Sequence, residues 1–268
     1  MIDFIMQQLN FFRKAFSREQ TFFWFCVVVI GFMMATDQLG GVSSLTRGLL
    51  FDNTAYCGIL RFFNSKAIQL DKLQILIAEW IKTSFQLQLI AGRKLFVVDA
   101  KKNPKEGKHM PANKWLFQDS SDNSKSEFVT GHHVEVIGIL VSCLGIVALL
   151  PFAAKIIDGF RMNNRDASTL KDRSAKFLSS FQTTIVGGIV IADAWYRAKK
   201  IFKHVVDAGA ILITRVGKNA VANYLPVKKM GRGRPAKYGK SVKLMTLFKE
   251  QLMTTATLVK ATGEDVIV

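Results

Sequence analysis

Acidic residues are scarce in this sequence. Its 268 residues include 20 Asp and Glu against 37 Lys and Arg, which gives a formal net charge of +17. So strong a positive balance indicates a polyanionic partner, either nucleic acid or an anionic membrane surface. Charge alone does not choose between these two partners.

Cysteines are few as well. Cys26, Cys57 and Cys143 are odd in number, far apart and set among apolar residues, which argues against a disulfide framework or a zinc site. The N-terminus lacks the charge and cleavage pattern of a signal peptide, and no nucleophile elbow, Walker-type loop or dinucleotide fingerprint is present. We expect a cytoplasmic protein in a reducing compartment.

Two apolar runs bear on the membrane alternative. Phe22 to Ala35 is too short to cross a bilayer and is predicted to form a buried helix. Val136 to Ala154 is uncharged and long enough to span, but two glycines and a proline interrupt it. Its β-branched residues favour a hairpin of about Val134 to Val141 and Gly145 to Phe152, buried on both faces. A basic membrane protein remains the alternative.

The first ninety residues show helical periodicity without strand-like alternation, most clearly over Gln69 to Leu89. We predict a helical domain at 1–90 with a possible role in DNA binding. Within it, the segment Gly40 to Gly48 could join two helices of a helix-turn-helix-like unit.

From Lys94 the pattern changes to a mixed α/β order, β-β-β-α-β-α-β, after a long polar loop from Ala100 to Thr130. This order matches the ribonuclease H-like fold, a mixed five-stranded sheet, which we predict at 91–216. The part at 217–268 is predicted to begin a basic, β-rich insertion. Outside the proposed hairpin, the predicted elements are strands Lys94 to Asp99, Gly187 to Asp193 and Ala210 to Arg215, and helices of about Asp166 to Gln182 and Tyr196 to Val206.

Two of these strands end in an aspartate, Asp99 and Asp193. In a ribonuclease H-like sheet the first and fourth strands are neighbours, so the two carboxylates would lie about 5 Å apart. Hard oxygen ligands of this kind suit Mg²⁺ or Mn²⁺, which can assist phosphoryl displacement. The sequence therefore predicts a two-aspartate metal site.

The surrounding segments resemble those of DDE transposases from bacterial insertion sequences, in which a β-rich domain is inserted into a ribonuclease H-like core. They are VVDAKKNPKEGKHMP, DNSKSEFVTGHH, IADAWYRAKKIF and ITRVGKN followed by GRGRPAKYGKSVKL, in this order. The resemblance implies that Asp99 and Asp193 are catalytic, metal-binding acids. It also implies Mg²⁺-dependent endonuclease activity on double-stranded DNA, followed by strand transfer at transposon ends, in a nucleoid-associated enzyme for which coordinated cutting favours a homodimer on DNA.

A basic segment follows the second aspartate. Thirteen Lys and Arg fall between Arg197 and Lys243, against the single acid Asp207. Such charge supports phosphate contacts, although a solvated loop would look similar. The segment Gly231 to Pro235, with sequence GRGRP, could enter a minor groove or simply grip phosphates. The candidate DNA-binding residues are Lys199, Lys203, Arg215, Lys218, Arg232, Arg234, Lys237 and Lys240.

The chain departs from the family pattern at the third acid, a glutamate within Tyr-x2-Arg-x3-Glu-x6-Lys. Glu250 and Glu264 are the only glutamates after Asp193, and neither fits. We therefore expect a C-terminally truncated transposase, with a catalytically inactive DNA-binding remnant as the alternative. His132 and His133 are interpreted as strand-edge residues, because no zinc-like cluster accompanies them.

Overall fold

The computed structural model describes residues 2–34, 41–48, 53–105, 107, 110–117, 126–157, 169–217, 219–224, 226, 238–244, 246, 258–261 and 264–267. This part of the chain contains eight α-helices and twelve β-strands. The fold is therefore mixed α/β, as the sequence predicts.

Helices occupy most of the first ninety residues. Aromatic side chains form their core: Phe12 packs edge-on against both Phe25 and Trp80, and Phe16 packs against Phe22 and Phe25. Ring pairs of this kind add to the stabilisation that burial itself supplies. The elements are α1 (Ile2–Asn10), a 3-10 turn (Arg13–Ala15), α2 (Glu19–Met34), α3 (Val42–Gly48), α4 (Asn53–Phe63) and α5 (Leu70–Ser84).

The prediction of a helix over Phe22 to Ala35 is confirmed as far as Met34 by α2, and residue 35 lies outside the described residues. Its burial is confirmed only in part: Phe22, Cys26 and Val28 are buried, whereas Phe32, Met33 and Met34 are exposed. Two other expectations in this region are wrong. Helix α3 occupies Val42–Gly48, where a junction between helices was expected. The long C-terminal helix stops at Ser84, and the short strands β1 (Gln86–Leu87) and β2 (Leu89–Ile90) follow, because their backbone groups pair with longer strands further along the chain.

One mixed sheet contains β1 to β8. Strand β3 (Arg93–Pro104) pairs antiparallel with β5 (Phe128–Cys143) and parallel with β7 (Ile189–Ala192). Strand β7 in turn pairs parallel with β8 (Ile211–Thr214), and β6 (Ile146–Ile157) pairs with β5. The central path is β5-β3-β7-β8.

The predicted hairpin is confirmed by β5 and β6. Leu144 and Gly145 join the strands with φ values of 51° and 80°, the left-handed geometry of a tight two-residue hairpin turn. The expectation that both faces of the hairpin are buried is wrong for β6, whose Ile146 and Val147 are exposed. No helix in the described parts of the chain is long and apolar enough to cross a membrane.

The predicted loop from Ala100 to Thr130 is also partly wrong. Strand β3 continues through Pro104 because β5 offers it partners as far as Gly131. A further strand, β4 (Lys114–Phe117), pairs with the start of β5. Residues 118–125 of the predicted loop lie outside the described residues.

Helices follow the hairpin and alternate with the parallel strands. The predicted helix to Gln182 is two helices, α6 (Leu170–Ser179) and α7 (Gln182–Ile185), and its first residues lie outside the described residues. The predicted helix from Tyr196 is a 3-10 turn (Ala194–Arg197) followed by α8 (Lys199–Asp207). Helix α6 packs against α8, which buries Ile201 and Val205.

By its contacts the chain divides into two compact units: Met1–Leu87 with Val141–Ala153, and Gln88–Leu140 with Ala154–Val268. The second unit ends in two short hairpins, β9 (Val221–Asn223) with β10 (Ser241–Lys243), and β11 (Leu258–Ala261) with β12 (Glu264–Ile267). The domain limits drawn from the sequence stay a prediction.

Candidate functional site

The strand register brings the two aspartates together. Val98 of β3 pairs in parallel with Ala192 of β7, so Asp99 and Asp193 each come one residue after the last pair. They therefore lie at the same level on neighbouring strands, which are about 4.8 Å apart in a sheet. Asp99 does not end its strand as expected, because β3 continues. It marks the point where the parallel pairing with β7 stops.

Each aspartate is anchored by one oxygen and exposed to solvent. Asp99 Oδ1 accepts a 2.8 Å hydrogen bond from the Ala100 backbone N–H. Asp193 Oδ1 accepts a 3.0 Å bond from the Trp195 backbone N–H, which caps the 3-10 turn. The second oxygen of each carboxylate accepts no hydrogen bond from the described residues. These oxygens are available to a ligand.

The third parallel strand adds a cation to the same row. Thr214 of β8 pairs with Ala192, so Arg215 follows β8 at the level where Asp193 follows β7. The Thr214 hydroxyl also donates to the Asp193 carbonyl at 2.5 Å, which ties the ends of β7 and β8 together. The exposed Arg215 is thus placed beside the aspartate pair.

The remaining candidate DNA-binding residues are only partly described. Lys199 and Lys203 are exposed on α8, four positions apart and hence on one helix face, and Lys240 is exposed just before β10. Their neighbour Lys200 is instead engaged in a 2.6 Å ion pair with Asp172 of α6. Lys218, Arg232, Arg234 and Lys237 lie outside the described residues, as does the segment 231–235.

A second acidic position, Glu135 on β5, lies on the buried face of the sheet and is completely buried. Its Oε1 accepts a hydrogen bond from the Ser174 hydroxyl of α6 and lies 3.4 Å from His133 Nε2. His133 is also buried, so its interpretation as a strand-edge residue is wrong. The alternation of β5 turns residues 133 and 135 toward α6.

Tyr196 connects this buried group with the aspartates electrostatically. Its side chain is buried, and its hydroxyl has no hydrogen-bond partner among the described residues. Burial raises the pKa of the Tyr196 hydroxyl, and the negative charges of Glu135, Asp193 and Asp99 raise it further, in that order. Tyr196 is therefore a neutral hydroxyl within the field of all three carboxylates.

The three acids do not form one metal cage. Within the described ranges, no group of three or more His, Cys, Asp or Glu side chains could hold a metal ion. Glu135 pairs with Ala100, the residue after Asp99, so the two acids point to opposite faces of the sheet. Of the two late glutamates, Glu264 lies on β12, and Glu250 lies outside the described residues.

Two exposed carboxylates nevertheless suit a magnesium ion. Mg²⁺ keeps several waters and is commonly held by one or two carboxylates together with substrate phosphates. Asp99 and Asp193 could provide those two carboxylates, each with an oxygen that has no donor among the described residues. Their chemistry, two hard oxygen donors, is compatible with Mg²⁺.

None of the known protein-family models matches this chain, and no curated protein matches it at a significant level. The assignment of a class therefore depends on the geometry described above. What that geometry defines is a mixed α/β protein with an exposed pair of aspartates on adjacent parallel strands.

Sequence reasoning did not single out Glu135, Ser174 or Tyr196. Glu135 was detectable in principle, because it is the only charge in an apolar strand and occurs at the alternation of the buried Ile137 and Ile139. Ser174 and Tyr196 gave no such signal, since only the packing of α6 and of the 3-10 turn brings them to the sheet.

Proposed function

We propose that the chain carries the metal-dependent DNA-cleaving core of a DDE transposase, acting on double-stranded DNA at transposon ends. The observation that carries the proposal is the register Val98–Ala192, which sets Asp99 and Asp193 side by side on parallel strands. Two carboxylates held by rigid strands are what a hard divalent ion requires. Arg215 in the same row supplies a charge that can bind the phosphate to be cleaved.

The strand order supports a ribonuclease H-like assignment. Since β3 occupies one edge of β5, its hairpin partner β6 lies along the other, which extends the path to β6-β5-β3-β7-β8. The first three strands form an antiparallel meander, and the last three run parallel with helical crossovers. Apart from the additional strands β1, β2 and β4, this order is the one that the β-β-β-α-β-α-β prediction requires, and it supports the proposal.

In this proposal Asp99 and Asp193 hold Mg²⁺ or Mn²⁺, which when bound polarises the scissile phosphate and activates the attacking oxygen. The Asp193 carboxylate is oriented by the Trp195 N–H, and the Asp193 backbone by Thr214. Lys199 and Lys203 contact flanking phosphates, which gives affinity that falls as salt concentration rises.

The test is a plasmid-nicking assay with the purified chain and Mg²⁺. Asp99→Asn and Asp193→Asn should each lower the rate by about 100-fold or more, because either change removes a direct ligand. Both variants should bind DNA as the parent does. Asp207→Asn is the matched control: Asp207 is exposed at the end of α8, and its loss should leave nicking unchanged. Undiminished nicking in either active-site variant contradicts the proposal.

A second function, DNA binding without cleavage, is favoured by one observation. Among the described residues no third carboxylate joins the aspartate pair, so the two-metal clamp of the family would be incomplete. In the same assay this candidate predicts no Mg²⁺-dependent nicking by the parent chain. Salt-dependent DNA binding that Lys199→Gln and Lys203→Gln weaken would then remain.

A further inference from the structure

A pocket of about 660 Å³ lies in the helical unit, between α2, α4 and the turn that follows α4. Its volume falls within the usual range for small-molecule sites, roughly 300 to 1,000 Å³. A bare phosphate ion would fill little of it, whereas a nucleotide-sized ligand would fit. The pocket belongs to a different compact unit from the aspartate pair.

The charge of the lining is of one sign. Arg18 before α2, Arg61 in α4 and Lys66 after α4 all line the pocket, and none of the described residues that line it is an Asp or Glu. None of the three cations forms an ion pair or a side-chain hydrogen bond with a described residue. Three cations that line one concavity, without an acidic partner among the described residues, favour an anion with several oxygens, for which arginine and lysine are the usual protein donors.

Neutral donors support the same ligand. The hydroxyls of Thr21 and Ser65 lie 3.4 Å apart in the wall of the pocket, and Ser65 Oγ already accepts a hydrogen bond from the Ala67 N–H. Whichever hydroxyl donates to the other, one hydroxyl hydrogen of the pair remains for a ligand. Thr21 itself is 6% exposed, so this donor is fixed by its surroundings.

Part of the remaining wall is aromatic, and Gln20, Thr54 and Asn64 also line the pocket. Trp24 lines the pocket, and one side of its indole lies against the backbone of Gly58, where an added Cβ would come within 2.2 Å of the ring. Only glycine permits this close approach of α2 and α4. An aromatic surface beside convergent cations is the arrangement that binds a base and its phosphate together in single-stranded nucleic acid.

We propose that this pocket binds a nucleotide unit, with its phosphate held by Arg18, Arg61 and Lys66 and its base against Trp24. The unit could be a free nucleotide or part of a nucleic-acid strand, since both present the same phosphate and base. The inference is independent of the metal chemistry proposed for Asp99 and Asp193.

The experiment is calorimetric titration of the full chain in EDTA with AMP, adenosine and a short single-stranded DNA oligonucleotide. AMP or the oligonucleotide should bind, and adenosine should bind at least about tenfold more weakly than AMP if the free nucleotide is the ligand. Binding of AMP alone identifies a free nucleotide. Binding of the oligonucleotide alone identifies a strand when Arg61→Gln weakens it, because Lys199 and Lys203 are proposed to bind DNA elsewhere on the chain. If neither binds the parent chain, the proposal is wrong.

The variants Arg61→Gln and Lys66→Gln should each weaken binding about tenfold, the loss expected when one charge-assisted contact is removed. Lys72→Gln on α5 is the matched control, since Lys72 is exposed in the same unit but does not line the pocket. Equal losses in all three variants would show general attraction to a basic protein and overturn the proposal. Asp99→Asn should bind every probe normally, so failure here and failure of the nuclease proposal are distinguishable.

Discussion

The carboxylates on the two faces of the central sheet differ in their exposure to solvent. Asp99, on one face of β3, is exposed, and one of its carboxylate oxygens has no donor among the described residues. Glu135, on the opposite face of the neighbouring β5, is completely buried: its Oε1 accepts from Ser174 and lies 3.4 Å from His133, and its Oε2 has no hydrogen-bond partner among the described residues. Neighbouring positions of one ladder thus hold an acid open to a ligand from solvent and an acid enclosed by the protein.

This difference in exposure implies different roles for two acids that the sequence alone does not distinguish: one in stability and one in ligand binding. A buried polar or ionisable group is tolerated only with partners, so its substitution lowers the free energy of unfolding. An exposed carboxylate on a rigid strand contributes little to the free energy of unfolding, so its substitution should change ligand binding instead. We therefore expect substitutions on the two faces to change different measurements, and the predictions that follow test that separation in order of decreasing effect.

The largest effect on stability is expected for Glu135→Ala, about 3 kcal/mol lost from the free energy of unfolding. The change leaves the buried Ser174 hydroxyl without that acceptor and opens a cavity beside His133, and losing a buried polar contact together with packed side-chain atoms typically costs this much. Glu135→Gln, which keeps an oxygen for Ser174, should lose less. Urea denaturation followed by circular dichroism measures both.

Glu127→Ala is the control for this prediction, because Glu127 is an exposed glutamate immediately before β5. It should change the free energy of unfolding by less than about 0.5 kcal/mol, as should Asp99→Asn. A Glu135→Ala variant as stable as Glu127→Ala would remove the contrast between the two faces.

A smaller, pH-dependent effect is expected at Asp172. Its hydrogen bond from Lys200, with those from the Thr169 side chain and backbone, holds the pKa of the Asp172 carboxyl far below its usual range. Because the folded-state pKa is lowered, the stabilisation is complete above the unfolded pKa of about 4 and is lost as the pH falls toward the folded value. Asp172→Asn should therefore melt below the parent at pH 7.

The gap in melting temperature between Asp172→Asn and the parent should close as the pH falls below about 4. Lys200→Gln removes the largest cause of the shift and should show a reduced gap of the same sign. A gap that does not vary with pH would mean that the carboxylate charge does not link α6 to α8. Of the two acids Glu135 and Asp172, only Glu135 would then be expected to stabilise the sheet unit through its side chain.

The sequence was sufficient to predict what depends on local pattern. β-Branched residues and the interrupting glycines located the hairpin, and apolar runs located β3, β7 and β8. The predicted strand order then placed Asp99 and Asp193 on adjacent strands, where the register has them. It did not predict the continuation of β3 beyond Asp99, since residues 101–103 are polar, a proline follows at 104, and the segment becomes a strand only because β5 supplies partners. The buried group at Glu135 depends likewise on the packing of α6, which no local pattern encodes.

The smallest effect is expected for Tyr196→Phe. The Tyr196 hydroxyl lies in the field of carboxylates on both faces of the sheet, Glu135 on one face and the aspartate pair on the other. Since the Tyr196 hydroxyl is buried without a hydrogen-bond partner among the described residues, its removal should change the free energy of unfolding at pH 7 by less than about 1 kcal/mol.

Burial and three carboxylates raise the pKa of Tyr196 in the fold, so the folded chain keeps this proton where the unfolded chain loses it. The parent should then lose stability relative to Tyr196→Phe as the pH rises above about 10. Melting temperatures between pH 7 and pH 11 measure this, with the exposed Tyr224→Phe as control. A constant difference across that range would show that burial and the neighbouring carboxylates do not raise the pKa of the Tyr196 hydroxyl in the fold.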